Sequence, residues 1–111
     1  MSTGGGMDKV RKVLEDRGKV YGPATPNFIC AERLHEVFMM YYLPKPELSN
    51  DQNRALIGMM KMVLHKVARV CVGSLHEDNF TDIHGYTALV EREIMPIVTR
   101  HVTDATEGDP D

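Results

Sequence analysis

Two pairs of carboxylates are the residues of this chain whose spacing best suits metal chemistry. Asp78 and Asp82 are four apart, as are Glu32 and Glu36, and on a helix each pair projects from one side. If the two helices run antiparallel, the pairs face each other as an octahedral oxygen site for Mg2+ or Mn2+. Such an ion bridges a nucleotide's phosphates and helps activate water for attack at phosphorus. For Glu32 and Glu36 an ordinary solvated helix face is the preferred reading. Lys66 and Arg69 lie three apart on one side of a largely apolar segment. Basic groups on so apolar a helix need anionic partners, because an unpaired buried charge is costly. Those partners are either a phosphate or Asp78 and Asp82, just past the intervening loop.

Gly85 and Tyr86 continue the Asp78/Asp82 stripe. A glycine inside a helix costs about 1 kcal/mol relative to alanine, which points to close approach by another helix or a ligand. Tyr86 either stacks on a base or closes the core with its hydroxyl satisfied, and the core is the preferred reading. The five histidines show neither zinc spacing nor His-Glu-x-x-His. No glycine-rich phosphate loop and no nucleophile elbow is present.

The elements that must position these residues are helices. Asp8 reads as a cap for a first helix over Asp8 to Arg17, with Val10, Val13 and Leu14 on one face and Gly18 as its stop. Val20-Tyr21-Gly22-Pro23 reads as a turn. Thr25-Pro26 reads as the start of a second helix reaching about Tyr42. Its inward stripe is Ala31, Leu34, Phe38 and Tyr41, with Glu32, Arg33 and Glu36 outward. Leu43-Pro44-Lys45-Pro46 stops it, and Ser49 with Gln52 forms a capping box for a third helix over Asn50 to Val72. That helix carries two apolar stripes, Leu56-Met60-Val63-Val67-Val70 and Ile57-Leu64-Ala68-Cys71. A fourth helix, capped by Asp78, turns Phe80, Ile83, Tyr86, Val90, Ile94 and Ile97 inward and is kinked or ended by Pro96.

The expected fold is therefore all-α, an antiparallel bundle of about four helices over 8–102, with a flexible lead over 1–7 and a mobile acidic tail over 103–111. At 111 residues the chain supports one core. A net charge of −3 argues against binding duplex nucleic acid. No apolar run spans a membrane and the N-terminus is unlike a signal peptide, so a cytoplasmic location is expected. Cys30 and Cys71 read as separate buried thiols, and Met39, Met40, Met59, Met60 and Met62 as core fillers. Helices with two apolar faces in so small a domain imply a homo-oligomer, a dimer first.

Several short motifs occur in order: Arg17-Gly18-Lys19-Val20-Tyr21-Gly22, Pro26-Asn27-Phe28, Met59-Met60, Lys66-Val67-Ala68-Arg69, and Asp78-Asn79-Phe80-Thr81-Asp82-Ile83-His84-Gly85-Tyr86. The set, spread over roughly Asp8 to Val90, resembles a small domain of unknown function from tailed phages and prophages. That family is in turn similar to the MazG-like, all-α nucleoside triphosphate pyrophosphohydrolases, which use Mg2+. The resemblance implies metal-binding roles for Asp78 and Asp82, phosphate contacts for Lys66 and Arg69, and nucleoside contacts or positioning roles for Asn27 and Tyr86. Both carboxylate pairs depart from the enzymes' Glu-x-x-Glu and Glu-x-x-Asp by one residue of spacing. The functional expectation is Mg2+-dependent binding of a (deoxy)nucleoside triphosphate, with or without pyrophosphohydrolysis. The rival is a non-enzymatic module that docks on a host protein, its polar cluster purely structural.

Overall fold

A computed structural model describes residues 4–21 and 24–100, the side chains of 4–5 and 18–21 excepted. The described chain is all-helical: α1 (Gly4–Tyr21), α2 (Ala24–Tyr41), α3 (Asn50–Val72) and α4 (Glu77–Glu93), then a short helical stretch at 95–100. Among the described residues no helix is long and apolar enough to cross a membrane.

The caps explain most of the boundaries. Ser49 Oγ accepts the backbone N–H of Gln52 at 3.1 Å, and Gln52 Oε1 accepts that of Ser49 at 2.8 Å. This reciprocal box satisfies two amides at the start of α3. α4 is capped by His76 rather than Asp78, with His76 Nδ1 accepting the Asp78 N–H at 3.3 Å. Asp78 instead lies in the first turn, where its charge meets the positive end of the helix. α4 ends at Glu93, since Pro96 would clash with the Arg92 carbonyl in a continued helix.

α1 departs from expectation at both ends. It begins at Gly4, so Asp8 is inside the helix and no cap, and it runs through Gly18 to Tyr21. Residues 22 and 23 of the expected turn, and the expected tail over 103–111, lie outside the described residues. α2 begins one residue before Thr25, which leaves Pro26 in the first turn, where its missing N–H costs nothing.

α3 is the centre, with α2 and α4 packed on it. Three contacts set α2 antiparallel to α3. The Phe28 and His65 rings lie 5.6 Å apart, His35 Nε2 meets the Lys61 carbonyl at 3.1 Å, and the Tyr42 hydroxyl donates to Asn53 Oδ1 at 2.5 Å. A short connection then reverses the chain into α4. α2 and α4 therefore both begin at the end where α3 finishes. Among the described residues α1 has no comparable packing on the other helices, and Met7, Val10, Val13 and Leu14 are all more than half exposed.

Among the described residues the enclosed apolar set is small: Ala31, Leu48, Val63, Ala68 and Ile94. Four polar residues of the same described part are buried beside it, Asn27, Asn53, Lys66 and Asn79. Tyr41, expected inward, is 77 % exposed, and Tyr42 takes its place. Met39, Met40 and Met62 are exposed rather than core fillers, while Met59 and Met60 are half-buried. Asn53 closes the α2–α3 connection: it accepts from the Tyr42 hydroxyl and the Lys45 N–H, and its Nδ2 lies 3.0–3.2 Å from the Lys45, Leu48 and Ser49 carbonyls. This one side chain thus pairs with four backbone groups of the connection.

Candidate functional site

The expected polar cluster assembles around one ion pair. Lys66 Nζ lies 2.9 Å from Asp82 Oδ2, with the lysine side chain 11 % exposed and the aspartate 45 %. α3 supplies the cation and α4 the anion, the two helices running antiparallel across the 73–76 connection. A strongly desolvated ammonium requires a partner, and Asp82 is the one it meets.

Around this pair the other expected residues fall into two groups. Arg69 lies one turn on from Lys66 and is half-buried. Asn27 is buried near the start of α2, and the contact between its neighbour Phe28 and His65 sets it at the level of Lys66. Tyr86 follows Asp82 by one turn and is half-buried. These residues share one end of the bundle.

Asp78, Glu32 and Glu36 do not join them. Asp78 Oδ2 is 3.8 Å from His76 Nδ1, and its side chain is 65 % exposed. Asp78 stands one turn before Asp82, in the first turn of α4 beside the capping His76, and so lies nearer solvent than Asp82 does. Glu32 and Glu36 are exposed on α2 and line a shallow open groove with Phe28, Ile29 and Arg33. Among the described residues no three His, Cys, Asp or Glu side chains are grouped to hold a metal ion. The donor set expected for Mg2+ or Mn2+ is thus not gathered among the described residues of one chain. Gly85 also differs from expectation, since a Cβ there would meet nothing within 4 Å.

The residue that the motif spacing conceals is Asn79. It is 1 % exposed, and among the described residues neither its Nδ2 nor its Oδ1 has a hydrogen-bond partner. An amide buried without partners costs about 1–3 kcal/mol, so a group that donates and accepts is wanted against it. Asn79 precedes Asp82 by three residues, on the same side of α4. Its signal is present in the sequence: Asn79, Ile83, Tyr86, Val90 and Ile94 form an unbroken helical stripe. Choosing the apolar Phe80 as its first member hides this, and Phe80 is 43 % exposed.

The N-terminal ends of α2 and α4, each carrying partial positive charge, meet the oppositely charged C-terminal end of α3 here, and Lys66 and Arg69 stand near Asp82. His65 registers the two cations. Burial lowers its pKa from the ordinary 6.5, and the charges of Arg69, Lys66 and then His35 lower it further. Across the α2–α3 contact, burial raises the Cys30 pKa, with the nearby Cys71 adding to the effect. The two thiols are therefore neighbours rather than separate, neither is disulfide-bonded, and Cys71 is exposed.

Residues 7–94 match the family model of a domain of unknown function, DUF6378, and the chain belongs to that family. No curated protein and no solved structure matches the chain.

Proposed function

We propose that this domain binds a phosphate-bearing small ligand, a nucleotide in class, at the end of the bundle where α2 and α4 begin. The observation that carries the reading is the enclosed Asn79 amide, with no partner among the described residues, three residues from the Lys66–Asp82 pair. An amide offers a donor and an acceptor together, which suits a base edge or a sugar hydroxyl. Lys66 and Arg69 supply cationic donors for phosphate, helped by two helix N-termini. Phosphate competes with Asp82 for Lys66, while Asn27 and Tyr86 flank the nucleoside. The resemblance to phage domains and to MazG-like pyrophosphohydrolases supports the same ligand class. A divalent ion enters as one the nucleotide carries on its phosphates; hydrolysis is left outside the proposal, because the described carboxylates do not converge.

One observation favours a second reading. The 2.9 Å Lys66–Asp82 contact already neutralises the buried cation, as it would in a module that docks on a host protein and uses the pair only as a lock. Thermal unfolding separates the two. The assay takes ribo- and deoxynucleoside triphosphates, each with and without Mg2+ or Mn2+. At a hundred times its dissociation constant, a ligand specific for the native state adds about 2.7 kcal/mol. The expected result is a rise in melting temperature with at least one nucleotide, lost in Lys66→Met. No rise with any nucleotide overturns the binding reading and leaves the lock.

A further inference from the structure

The strongest unclaimed feature lies on the opposite side of α2 from the polar site. Successive helical residues turn through 100°, so Asn27, Ala31, Leu34, Phe38 and Tyr42, on the side packed toward α3, stand opposite a second stripe: Pro26, Ile29, Arg33, Val37 and Met40. Ile29 is 50 % exposed, Val37 53 % and Met40 75 %. An open groove of about 470 Å³ borders this side, lined by Pro26, Ile29, Cys30, Arg33, Leu34 and Val37. At Val37 it meets a second groove, of about 360 Å³, which turns toward Phe38 and Tyr42 on the α3 side. Pro26, Ile29, Val37 and Met40 recur at helical spacing and make an apolar strip along the helix.

Isolated exposed apolar residues are ordinary, but a continuous strip marks a surface that is covered. The size of the core argues the same way. Among the described residues two of the five enclosed apolar side chains are alanines, which is little burial to offset the ordering of the helices described.

The charges say what covers the strip. Arg33 sits mid-stripe between apolar neighbours, and among the described residues it makes no ion pair. Glu36 lies on the edge of the same strip, exposed. In an antiparallel self-pairing centred between Leu34 and His35, Arg33 meets the partner's Glu36, and Glu36 meets the partner's Arg33. Ile29 then meets the partner's Met40, and Pro26 the partner's Leu43. These positions find complementary ones under a single two-fold axis, as an isologous contact requires, while Val37 lies against the stem of the partner's exposed Glu32.

We infer that the exposed strip running from Pro26 along α2 to Leu43, just past the helix end, is a homodimer interface, in which α2 packs antiparallel on its counterpart and two Arg33–Glu36 pairs fix the register. This is independent of the ligand reading, whose residues stand on the other side of α2.

Sedimentation velocity across a concentration series tests it, with far-UV circular dichroism confirming that each variant is folded. The wild type is expected at twice the 12.5 kDa chain mass. Arg33→Glu and Glu36→Arg each place like charges opposite one another and should shift the equilibrium toward monomer by tenfold or more. Combining the two restores opposite charges and should restore the dimer. A wild-type monomer throughout overturns the inference. So does a dimer insensitive to both single changes, or one lost in Leu14→Glu on α1 and unaffected at Arg33 and Glu36.

Discussion

Removing one member of the Lys66–Asp82 pair should have very different consequences from removing the other. Asp82→Asn leaves the Lys66 ammonium, its side chain 11 % exposed, facing a neutral amide. Breaking a fully buried pair costs about 3–5 kcal/mol, while an exposed pair is worth about 0.2–1 kcal/mol. Asp82 is 45 % exposed, which places this pair between those limits, so a loss of about 2 kcal/mol is expected. Lys66→Met keeps most of the side-chain volume, removes the desolvated charge and leaves a carboxylate that water still reaches. Its cost should be within about 1 kcal/mol of zero. In the Lys66→Met background Asp82→Asn should be nearly silent, giving a coupling energy of about 2 kcal/mol. Urea unfolding at neutral pH reads all four proteins, at one protomer concentration so that association contributes equally. Equal losses from Lys66→Met and Asp82→Asn would refute the asymmetry, and additive effects would show that the two side chains do not interact.

Further expectations follow from the same contacts. Asn53→Ala removes five hydrogen bonds that close the 42–49 connection, and should cost roughly 2–4 kcal/mol in urea unfolding. A loss below about 0.5 kcal/mol, on the scale of an ordinary surface change, would mean the loop does not depend on it. Gly85→Ala meets open space and should stabilise α4 by about 0.5–1 kcal/mol; destabilisation would mean that something packs at that point. The folded pKa of His65 lies below its ordinary 6.5. Its contribution to stability is therefore complete above that value and is lost as pH falls through the folded pKa. The drop in melting temperature between about pH 7.5 and 5 should be smaller in His65→Gln, and an unchanged drop would exclude this histidine as a source. Phosphate bound beside Lys66 and Arg69 would offset the charges that depress His65. Nucleotide should therefore raise its pKa in an NMR titration, and a fixed value at saturating ligand would place the ligand elsewhere.

How much is legible in the sequence depends on whether a signal is local. α3 can be read to the residue because its capping box and its glycine stop are short-range chemistry. α1 resists such a reading because Gly18 and Asp8 are common boundary residues, and a helix through Gly4, Gly5 and Gly6 runs against propensity. Lys66 and Asp82 can be paired from sequence because a short connection between antiparallel helices leaves few other partners. Asp78 misleads because spacing gives an angle around a helix, not the identity of the neighbour. The buried asparagines escape notice for one shared reason. Asn27, Asn53 and Asn79 each stand four residues before an inward apolar residue, Ala31, Ile57 and Ile83, and a reading that seeks hydrophobic stripes passes over their polar first members.

Those asparagines also separate the two proposals physically. Asn53 stands at one end of the bundle, where the 42–49 loop satisfies it. Asn27 and Asn79 stand at the other, where no comparable loop satisfies Asn79. The α2 strip faces away from both. Glu36 decides between its possible roles: a carboxylate in register with the partner's Arg33 is not also a ligand converging on Asp82. Glu36→Gln should accordingly weaken the dimer and leave any nucleotide-induced rise in melting temperature intact at a concentration where the dimer is retained. Loss of the nucleotide effect with the dimer unchanged would return Glu36 to the ligand site and break the separation between the two sides of α2.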